Sequence, residues 1–372
     1  MPDTDSADPN EVARPTSSRR DPDWLRARLA DWLNTVVDSP VTVTRLEIPS
    51  ANGMSSETIV LDARWDDTEH PLVVRVAPLA ESDPVFPAYD LDRQFRIIGH
   101  VASSTYVALP KLYWSEPDPR PLGAPFFIMG RVDGQVPPDV MPYTFGSWMS
   151  DATPEQRATL TEKTIETLAM IHSAPVPHEL LDQPGPGETP LRAHIRRLRD
   201  FYAWASDGRA GSGLIERGFA WVAENIPDET DPVLSWGDAR IGNIIYQDFA
   251  PAAVLDWEMA AYGPRELDVA WMIFLHRFFQ DLAEMAGLPG LPDFLRRDEV
   301  AAAYGRKSGH QPLDLDFYIT YGALIHAVVM YRIQSRAIHF GQAEEPADPD
   351  DMILHRATLE AMLEGTYWEK VG

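Results

Sequence analysis

The sequence predicts an α+β fold of two lobes, an N-terminal lobe built on an antiparallel sheet and a C-terminal lobe made mainly of helices. Two observations predict it. Up to about residue 130, short apolar runs read as strands, with helical segments only before and among them. From about Thr153 onward, apolar residues recur at helical spacing instead. With 372 residues and 44% hydrophobic content, the chain can bury a large core, which favours two lobes over one.

The N-terminal part begins with a tail and a helix. Residues 1–20 are rich in Asp, Pro and Ser without a hydrophobic period, which predicts a disordered tail. Asp21-Pro22 is a typical helix start, and the apolar residues behind it recur at helical spacing. Those residues are Trp24, Leu25, Leu29, Trp32 and Leu33.

The strands of the predicted sheet follow this helix. Residues 41–48 and 58–64 alternate between apolar and polar side chains, with Ala51-Asn52-Gly53 as a turn between them. Residues 72–76 form a third predicted strand and residues 126–129 a further buried one. The helix between these two strands is marked by Leu91, Phe95 and Ile98.

The C-terminal part is predicted to be helical. A first helix from about Thr153 carries Leu160, Thr164, Leu168, Ile171 and His172 along one face, so His172 is expected to pack in the core. A loop over 173–190, rich in Pro and Gly, precedes helices near 191–206 and 214–225. Helices are also predicted toward the end of the chain, interrupted around 287–297 and 341–349.

Composition excludes several classes of function. The formal net charge of −25 repels nucleic acid and anionic membranes. No run approaches 18 apolar residues, no secretory signal is visible, and cysteine is absent, so we expect a cytoplasmic protein without disulfides. Residues 1–150 hold 22 acidic and 13 basic side chains, and residues 151–372 hold 35 and 19. The acidic excess fits either a polycationic substrate or a solvated surface.

One motif carries the chemistry. Ser235-Trp236-Gly237-Asp238-Ala239-Arg240-Ile241-Gly242-Asn243 precedes an apolar stretch that ends in Leu255-Asp256-Trp257-Glu258. Phosphoryl transfer needs such a set, because one Asp orients or deprotonates the attacking hydroxyl while an Asn and a second Asp hold Mg²⁺. The alternative is a Gly-Asp turn leading into a hairpin with ordinary turn residues. The joint spacing of Asp238, Asn243 and Asp256 favours the phosphotransferase.

This segment resembles the catalytic and metal-binding loops of the aminoglycoside phosphotransferase family, a small-molecule branch of the protein-kinase-like fold. The usual pattern there is His-Gly-Asp, four residues, Asn, then a hydrophobic strand and Asp. The resemblance covers roughly residues 25–275 and implies that Asp238 is the catalytic base. It implies Asn243 and Asp256 as Mg²⁺ ligands. Trp236 departs from the pattern, because the family usually has His there.

The resemblance places ATP in the N-terminal lobe, over residues 21–132. Ser55 and Ser56 lie in the expected phosphate-covering hairpin, although a plain hairpin turn would look the same. None of the four lysines lies in the strand that usually supplies one, and Arg75 occupies that position. Arginine can contact phosphate through two N–H groups at once. Related kinases associated with acyl-CoA dehydrogenases look similar at this position. The helix residue that usually orients this cation is Glu, and here it aligns with Gln94.

The segment Met129-Gly130-Arg131-Val132-Asp133-Gly134 resembles the hinge between the lobes. Met129 would lie behind the adenine, whose edge would pair with the backbone of Gly130 and Val132. The alternative is a strand that ends in an Asp-Gly turn. Residues 133–372 would then form the catalytic and substrate-binding lobe, in which Asp268 is expected to support the catalytic loop from beneath.

The sequence thus predicts an enzyme that uses Mg²⁺ and ATP to phosphorylate a hydroxyl of a small molecule, without a nucleic-acid or membrane partner. The family resemblance names an aminoglycoside first. A hydroxyacyl-CoA or another metabolite is the rival, since CoA phosphates suit the basic run Arg192, Arg196, Arg197 and Arg199. A pseudokinase that binds nucleotide without turnover is the third possibility, suggested by Trp236, Arg75 and Gln94.

Overall fold

The structure is a computed structural model that describes residues 20–49, 56–79, 82–139, 142–228 and 231–368. Most of the predicted tail and Ser55 of the predicted phosphate hairpin lie outside these ranges. Of the tail only Arg20 is described. Its guanidinium pairs with Glu57 and donates to the carbonyl of Ala77 at 3.3 Å.

The N-terminal lobe is a five-stranded antiparallel sheet flanked by two helices. Its strands follow the order β1-β2-β3-β5-β4. Side chains alternate between the two faces along β2, so Ile59, Leu61 and Ala63 are all fully buried on one face. The elements are α1 Pro22–Val36, β1 Thr42–Glu47, β2 Glu57–Trp65, β3 Thr68–Val76, α2 Leu91–Ser104, β4 Leu112–Glu116 and β5 Phe126–Gly130.

Helix α1 forms as its sequence predicts. Asp21 caps it by accepting from the backbone N–H of Trp24 at 2.8 Å, and Pro22 stands where its missing N–H costs nothing. Leu25 and Leu29 on its inner face are fully buried. Strand β4 has no counterpart among the predicted strands, because each of its residues is only partly buried and no alternation marks it.

The C-terminal lobe is mainly helical, as predicted. Two long helices, Glu266–Met285 and Leu315–His339, pack against each other at its centre, and most of their residues are buried. Its elements are α3 Trp148–Asp151, α4 Pro154–His172, α5 Pro190–Ala205, α6 Gly213–Asn225, β6 Pro232–Ser235, β7 Ile244–Gln247, β8 Ala250–Val254, β9 Ala261–Pro264, α7 Glu266–Met285, α8 Arg297–Ser308, α9 Leu315–His339 and α10 Arg356–Leu363. The predicted fold class is confirmed. In the described part of the chain, every helix is too short or too polar to cross a bilayer.

A hairpin of β7 and β8 joins the segment between the lobes to the catalytic region. Gln135 and Tyr246 exchange backbone hydrogen bonds of 2.9 and 2.8 Å. Gly134 allows this approach, because a Cβ there would lie 2.5 Å from a methyl of Ile245 and 2.6 Å from the carbonyl oxygen of Tyr246. The residues after β5 are therefore held close to Asn243, which directly precedes β7.

Candidate active site

The loop after β6 carries Asp238 and depends on a glycine. Gly237 has φ +90°, and a Cβ there would lie 2.1 Å from the carbonyl oxygen of Met259. Only glycine fits this close approach. The loop that holds Asp238 is therefore packed directly against the loop that follows Asp256.

Asp268 supports the catalytic loop from beneath, as the sequence predicts. One carboxylate oxygen accepts from the hydroxyl of Ser235 at 2.8 Å and the N–H of Gly237 at 2.9 Å. The other accepts from the N–H of Trp236 at 2.7 Å and meets Nε2 of His172 at 2.9 Å. Asp268 is fully buried, so these four contacts satisfy a carboxylate that burial would otherwise destabilise. The predicted core position of His172 is confirmed.

Trp236 braces the loop that holds Asp256. Its indole N–H lies 2.9 Å from the carbonyl of Leu255 and 3.0 Å from that of Asp256, so it donates to both. The side chain is 1% exposed and packs near Trp257, with ring centroids 6.1 Å apart. The tryptophan therefore supplies a polar contact to this loop as well as packing, although it stands where the resembled family usually has histidine.

Three side chains hold the carboxylate of Asp238. The indole N–H of Trp271 donates to Oδ1 at 2.7 Å, and Nδ2 of Asn243 donates to Oδ2 at 2.6 Å. Nε of Arg240 lies 3.1 and 3.0 Å from the two oxygens. Two of the three predicted reaction residues, Asp238 and Asn243, are thus in direct contact.

Arg240 bridges Asp238 to a second carboxylate. Its Nη1 donates to both oxygens of Asp139 at 2.7 and 2.6 Å. Burial alone would lower the pKa of Arg240, but the carboxylates of Asp238 and Asp139 raise that pKa above its ordinary value. Arg240 therefore remains a fixed positive charge beside the predicted base.

Asp256, the second predicted metal ligand, has an unsatisfied buried oxygen. It adopts φ +58°, and its Oδ1 is inaccessible to solvent without a hydrogen-bond partner among the described residues. Burial raises the pKa of this carboxyl above its ordinary value, and the guanidinium of Arg75 only partly offsets that effect. Such an oxygen suits a hard cation. The described ranges contain no cluster of three His, Asp or Glu side chains that could hold a metal.

A cleft of about 550 Å³, which we call the interlobe cleft, opens between the sheet and this loop region. Most of the residues predicted to bind the cofactor or metal line it: Arg75, Met129, Gly130, Val132, Asn243 and Asp256. Arg75 donates to the hydroxyl of Thr58 at 2.8 Å, and Gln94 lines the cleft without a hydrogen bond to Arg75 in the described part of the chain. Ser56 is fully buried and does not line the cleft, whereas Thr58, two residues later, does.

A second cavity of about 400 Å³, which we call the apolar pocket, lies on the other side of Asp238. Helices α7 and α9 supply most of its wall, through Leu275, Phe278, Val329, Met330 and Ile333 among others. His326 also lines it, and burial lowers the pKa of this imidazole well below the ordinary value. Asp139, Arg240 and Asp256 line both cavities, so the predicted reaction residues lie where the two meet.

Sequence reasoning missed several residues of this site. Arg240 stands inside the quoted motif, two residues after Asp238, and that spacing was its only signal. Asp139 and Trp271 are 99 and 33 positions away from Asp238, and no local pattern connects them to it. Glu258 lines the apolar pocket.

The basic run of α5 does not act as one cluster. Arg196 pairs with Glu188 at 2.9 Å and Arg199 pairs with Glu216 at 2.6 Å, both at the surface. Arg192 is exposed. Arg197 lines a cavity beside the apolar pocket.

Comparisons with known proteins identify related sequences. The model of the phosphotransferase enzyme family, APH, matches residues 53–309. Human acyl-CoA dehydrogenase family member 11 is 29% identical over 189 residues, which are 49% of this chain and 23% of that protein. Mouse acyl-CoA dehydrogenase family member 10 is 24% identical over 336 residues, 86% of this chain and 29% of that protein. The chain spans about a third or less of the length of the curated relatives it matches.

Solved structures share the fold at low sequence identity. A Ralstonia eutropha protein provisionally described as an aminoglycoside phosphotransferase superposes with a TM-score of 0.65 at 20% identity, covering 92% of this chain and 98% of that one. Macrolide 2'-phosphotransferase MphH from Brachybacterium faecium superposes with a TM-score of 0.53 at 18% sequence identity, covering 90% of this chain and 97% of that one. A thermostable variant of aminoglycoside phosphotransferase APH(4)-Ia superposes with a TM-score of 0.58 at 15% sequence identity, covering 91% of this chain and 97% of that one. That structure is a complex with AMP-PNP and hygromycin B.

Proposed function

This chain belongs to the phosphotransferase enzyme family, and we propose that it moves the γ-phosphoryl group of ATP to a hydroxyl of a small molecule. One observation carries the proposal. Asn243 faces the interlobe cleft, Asp238 faces the apolar pocket, and Asp256 lines both. A phosphoryl donor in the first cavity and an acceptor in the second would meet at these three residues. Residues 21–132 are the nucleotide-binding lobe in this proposal, and residues 133–372 bind the acceptor and carry the catalytic groups.

The interlobe cleft is the proposed ATP site. Related structures hold AMP-PNP or ADP, which supports a nucleotide here. Met129, Gly130 and Val132 would receive the adenine, and Arg75 would contact the phosphates. Ser55 and Ser56 remain candidates only for backbone contacts to phosphate, because the buried hydroxyl of Ser56 does not face the cleft.

Asn243 and Asp256 are the proposed Mg²⁺ ligands. The buried, unpartnered Oδ1 of Asp256 supports this assignment, because it supplies an anionic oxygen that no described group already uses. When bound, Mg²⁺ neutralises the charge on the phosphate oxygens. Asn243 uses Nδ2 to hold Asp238, so its amide oxygen is the atom suited to a cation.

Asp238 would orient the acceptor hydroxyl and accept its proton. The donors from Trp271, Asn243 and Arg240 fix both carboxylate oxygens, so the group is held before the acceptor arrives. Phosphoryl transfer has a loose transition state that asks little of a base, and positioning then supplies most of the rate. The positive charge of Arg240 adds electrostatic stabilisation next to the transferred group.

The acceptor is a small molecule in either of two classes. An aminoglycoside is the first, by family and because a related enzyme was solved with hygromycin B. The walls of the apolar pocket favour the second, a hydroxyl compound with an apolar body such as a hydroxyacyl derivative. The acyl-CoA dehydrogenase names of the curated relatives also support that class.

The test is ADP release measured with Mg-ATP and a panel of aminoglycosides, hydroxyacyl-CoAs and amino-alcohols. A turnover signal with any of them that disappears when Mg²⁺ is chelated supports the phosphotransferase. The pseudokinase alternative predicts calorimetric binding of ATP with no acceptor-dependent ADP release across the whole panel.

A further inference from the structure

A third cavity adjoins the apolar pocket, and we call it the Arg197 pocket. Its volume is about 330 Å³, and helix α5 supplies Arg197 to its wall. It shares Phe86, Glu258, Met259 and Val329 with the apolar pocket, so the two cavities lie next to each other. A molecule with its hydroxyl at Asp238 can therefore extend into the Arg197 pocket.

Arg197 lines this pocket, and its terminal nitrogens are enclosed by protein without a hydrogen-bond partner among the described residues. Both terminal nitrogens of its guanidinium are inaccessible to solvent, and no described residue accepts a hydrogen bond from them. No carboxylate in the described ranges lies within ion-pair distance of it, unlike Arg196 and Arg199 on the same helix. Burial lowers the pKa of Arg197, yet a guanidinium keeps its charge in proteins. A buried cation with unused donors is costly unless a ligand pairs with it.

The neighbouring charges of the pocket are already engaged. Arg93 donates to the carbonyl of Ala260 at 3.0 Å and pairs with Asp182 at 3.3 Å. Asp90 accepts from the N–H of Arg93 as the cap of α2. His194 is neutral, because burial lowers its pKa to about 3. Glu258 stands on the side shared with the apolar pocket. Arg197 is therefore the cation of this wall left to pair with an anion, once its enclosed terminal nitrogens turn toward the pocket.

We propose that Arg197 binds an anionic group of the acceptor, a phosphate or a carboxylate, while the apolar pocket holds the body of the molecule and Asp238 meets its hydroxyl. The inference rests on the proposed phosphotransfer, which defines the acceptor. Guanidinium pairs with both anions through parallel N–H donors, which fixes orientation as well as affinity. A polycationic acceptor would leave Arg197 unpaired, so the site selects an anionic, partly apolar hydroxyl compound.

Calorimetric titration with octyl phosphate, octanoate and octan-1-ol tests this without turnover. The three probes share an eight-carbon body and differ in the head group. The wild-type protein should bind at least one anionic probe about tenfold or more tighter than octan-1-ol, as a charged hydrogen bond implies. A stronger octyl phosphate signal indicates a phosphate-bearing acceptor, and a stronger octanoate signal indicates a carboxylate. Equal binding of all three probes overturns the proposal.

Arg197→Met should abolish the preference for anionic probes over octan-1-ol. Arg197→Lys should keep part of that preference, because lysine retains the charge but not the paired N–H donors of a guanidinium. Arg217→Met is the matched control, since Arg217 is exposed on α6 and pairs with Glu360. It should bind like wild type. A preference that survives in Arg197→Met overturns the site, and so does competition by ADP, which would put the probe in the interlobe cleft.

Thermal melting separates ligand binding from a structural role. Arg197→Met removes a buried unpaired charge, so it should melt no lower than wild type. A clear drop would mean that the fold already satisfies the guanidinium, which overturns the proposal. If no acceptor supports ADP release but the anion preference holds, the phosphotransfer fails while the anion site stands.

Discussion

The interlobe cleft and the apolar pocket share Asp139, Arg240 and Asp256, yet the rest of their walls differ in kind. The cleft is walled by strands β3 and β5 and by the loops around Asn243, with polar and charged groups placed by segments of a few residues. The apolar pocket is walled mainly by one face each of α7 and α9, which are far apart along the chain. Short motifs therefore set the charges of the proposed reaction, and helix packing sets the space for the acceptor.

The difference extends to how each cavity would select its ligand. A triphosphate needs fixed charges and hydrogen-bond donors, which vary little between enzymes that use ATP. An acceptor is selected by shape, apolar area and a few polar contacts, which side-chain changes on two helices can alter. Variants on one side should then leave binding on the other side intact, and substitutions at four positions can break or sharpen this comparison.

The largest effect is expected at Asp238, near the place where the two cavities meet. Asp238→Asn keeps the size of the side chain but removes the charge, so kcat should fall at least about a hundredfold, roughly 2.7 kcal/mol. ATP affinity measured by calorimetry should stay within a few-fold, because Asp238 faces the acceptor side. Asp31→Asn on the exposed face of α1 is the control and should match wild type. A variant that keeps a tenth of the wild-type kcat would remove Asp238 from its assigned role.

The second effect belongs to the cleft. Asp256→Asn should weaken ATP binding in Mg²⁺ by about tenfold to a hundredfold, while binding in excess EDTA changes little. Asparagine tolerates the left-handed backbone at φ +58°, so the variant tests the charge rather than the fold.

Asp248→Asn is its matched control, since Asp248 also has positive φ, at 47°, and lies in the exposed turn of the β7–β8 hairpin. It should leave Mg-ATP binding unchanged. Calorimetry showing the same Mg-ATP affinity in Asp256→Asn and wild type would contradict the metal assignment and favour an ordinary hairpin turn.

The two cavities also differ in how far the sequence predicts them. Asp238, Asn243 and Asp256 were identifiable because a loop and a hairpin bring nearby residues together at fixed spacing. The fold class followed from the change of hydrophobic period near Thr153. Strand β4 was missed because its residues are half-buried and show no alternation.

The apolar pocket could not be predicted, because its composition depends on which faces of α7 and α9 meet. Most residues of these helices are apolar and buried, so periodicity does not single out those that line a cavity. Ser56 shows the opposite problem. Its polar side chain and motif position suggested contact with phosphate. Ser56 stands just before β2, outside the alternation of that strand, and is fully buried, whereas Thr58 within β2 lines the cleft.

Arg75 tests whether the cleft recognises phosphate by charge. Arg75→Met should weaken the binding of ATP about ten- to a hundredfold, roughly 1.5–3 kcal/mol, and should weaken the binding of adenosine far less. Arg75→Lys should recover part of the loss. Arg64→Met on neighbouring β2 is the control, because its side chain is 55% exposed and pairs with Glu69 at 3.6 Å. Equal weakening of ATP and adenosine by Arg75→Met would contradict a phosphate contact and strengthen the pseudokinase alternative.

The smallest effect is expected at Trp236, which supports the loop that holds Asp256 without lining the interlobe cleft or the apolar pocket. Trp236→Phe removes the N–H that donates to the carbonyls of Leu255 and Asp256, so the free energy of unfolding should fall by about 1–2 kcal/mol. Mg-ATP affinity should fall a few-fold, because the backbone of Asp256 loses an anchor. The stability and the Mg-ATP affinity of Trp236→His should lie between those of wild type and Trp236→Phe, since a histidine N–H can restore one donor.

Trp257→Phe is the matched control for this last prediction. Trp257 is equally buried, but its indole N–H has no hydrogen-bond partner among the described residues, so removing that N–H breaks no bond. Urea denaturation should therefore find Trp257→Phe closer to wild type than Trp236→Phe. Equal losses in the two variants would mean that Trp236 acts through ring packing alone. The bracing of the Asp256 loop would then depend on the contact with Met259 that Gly237 permits.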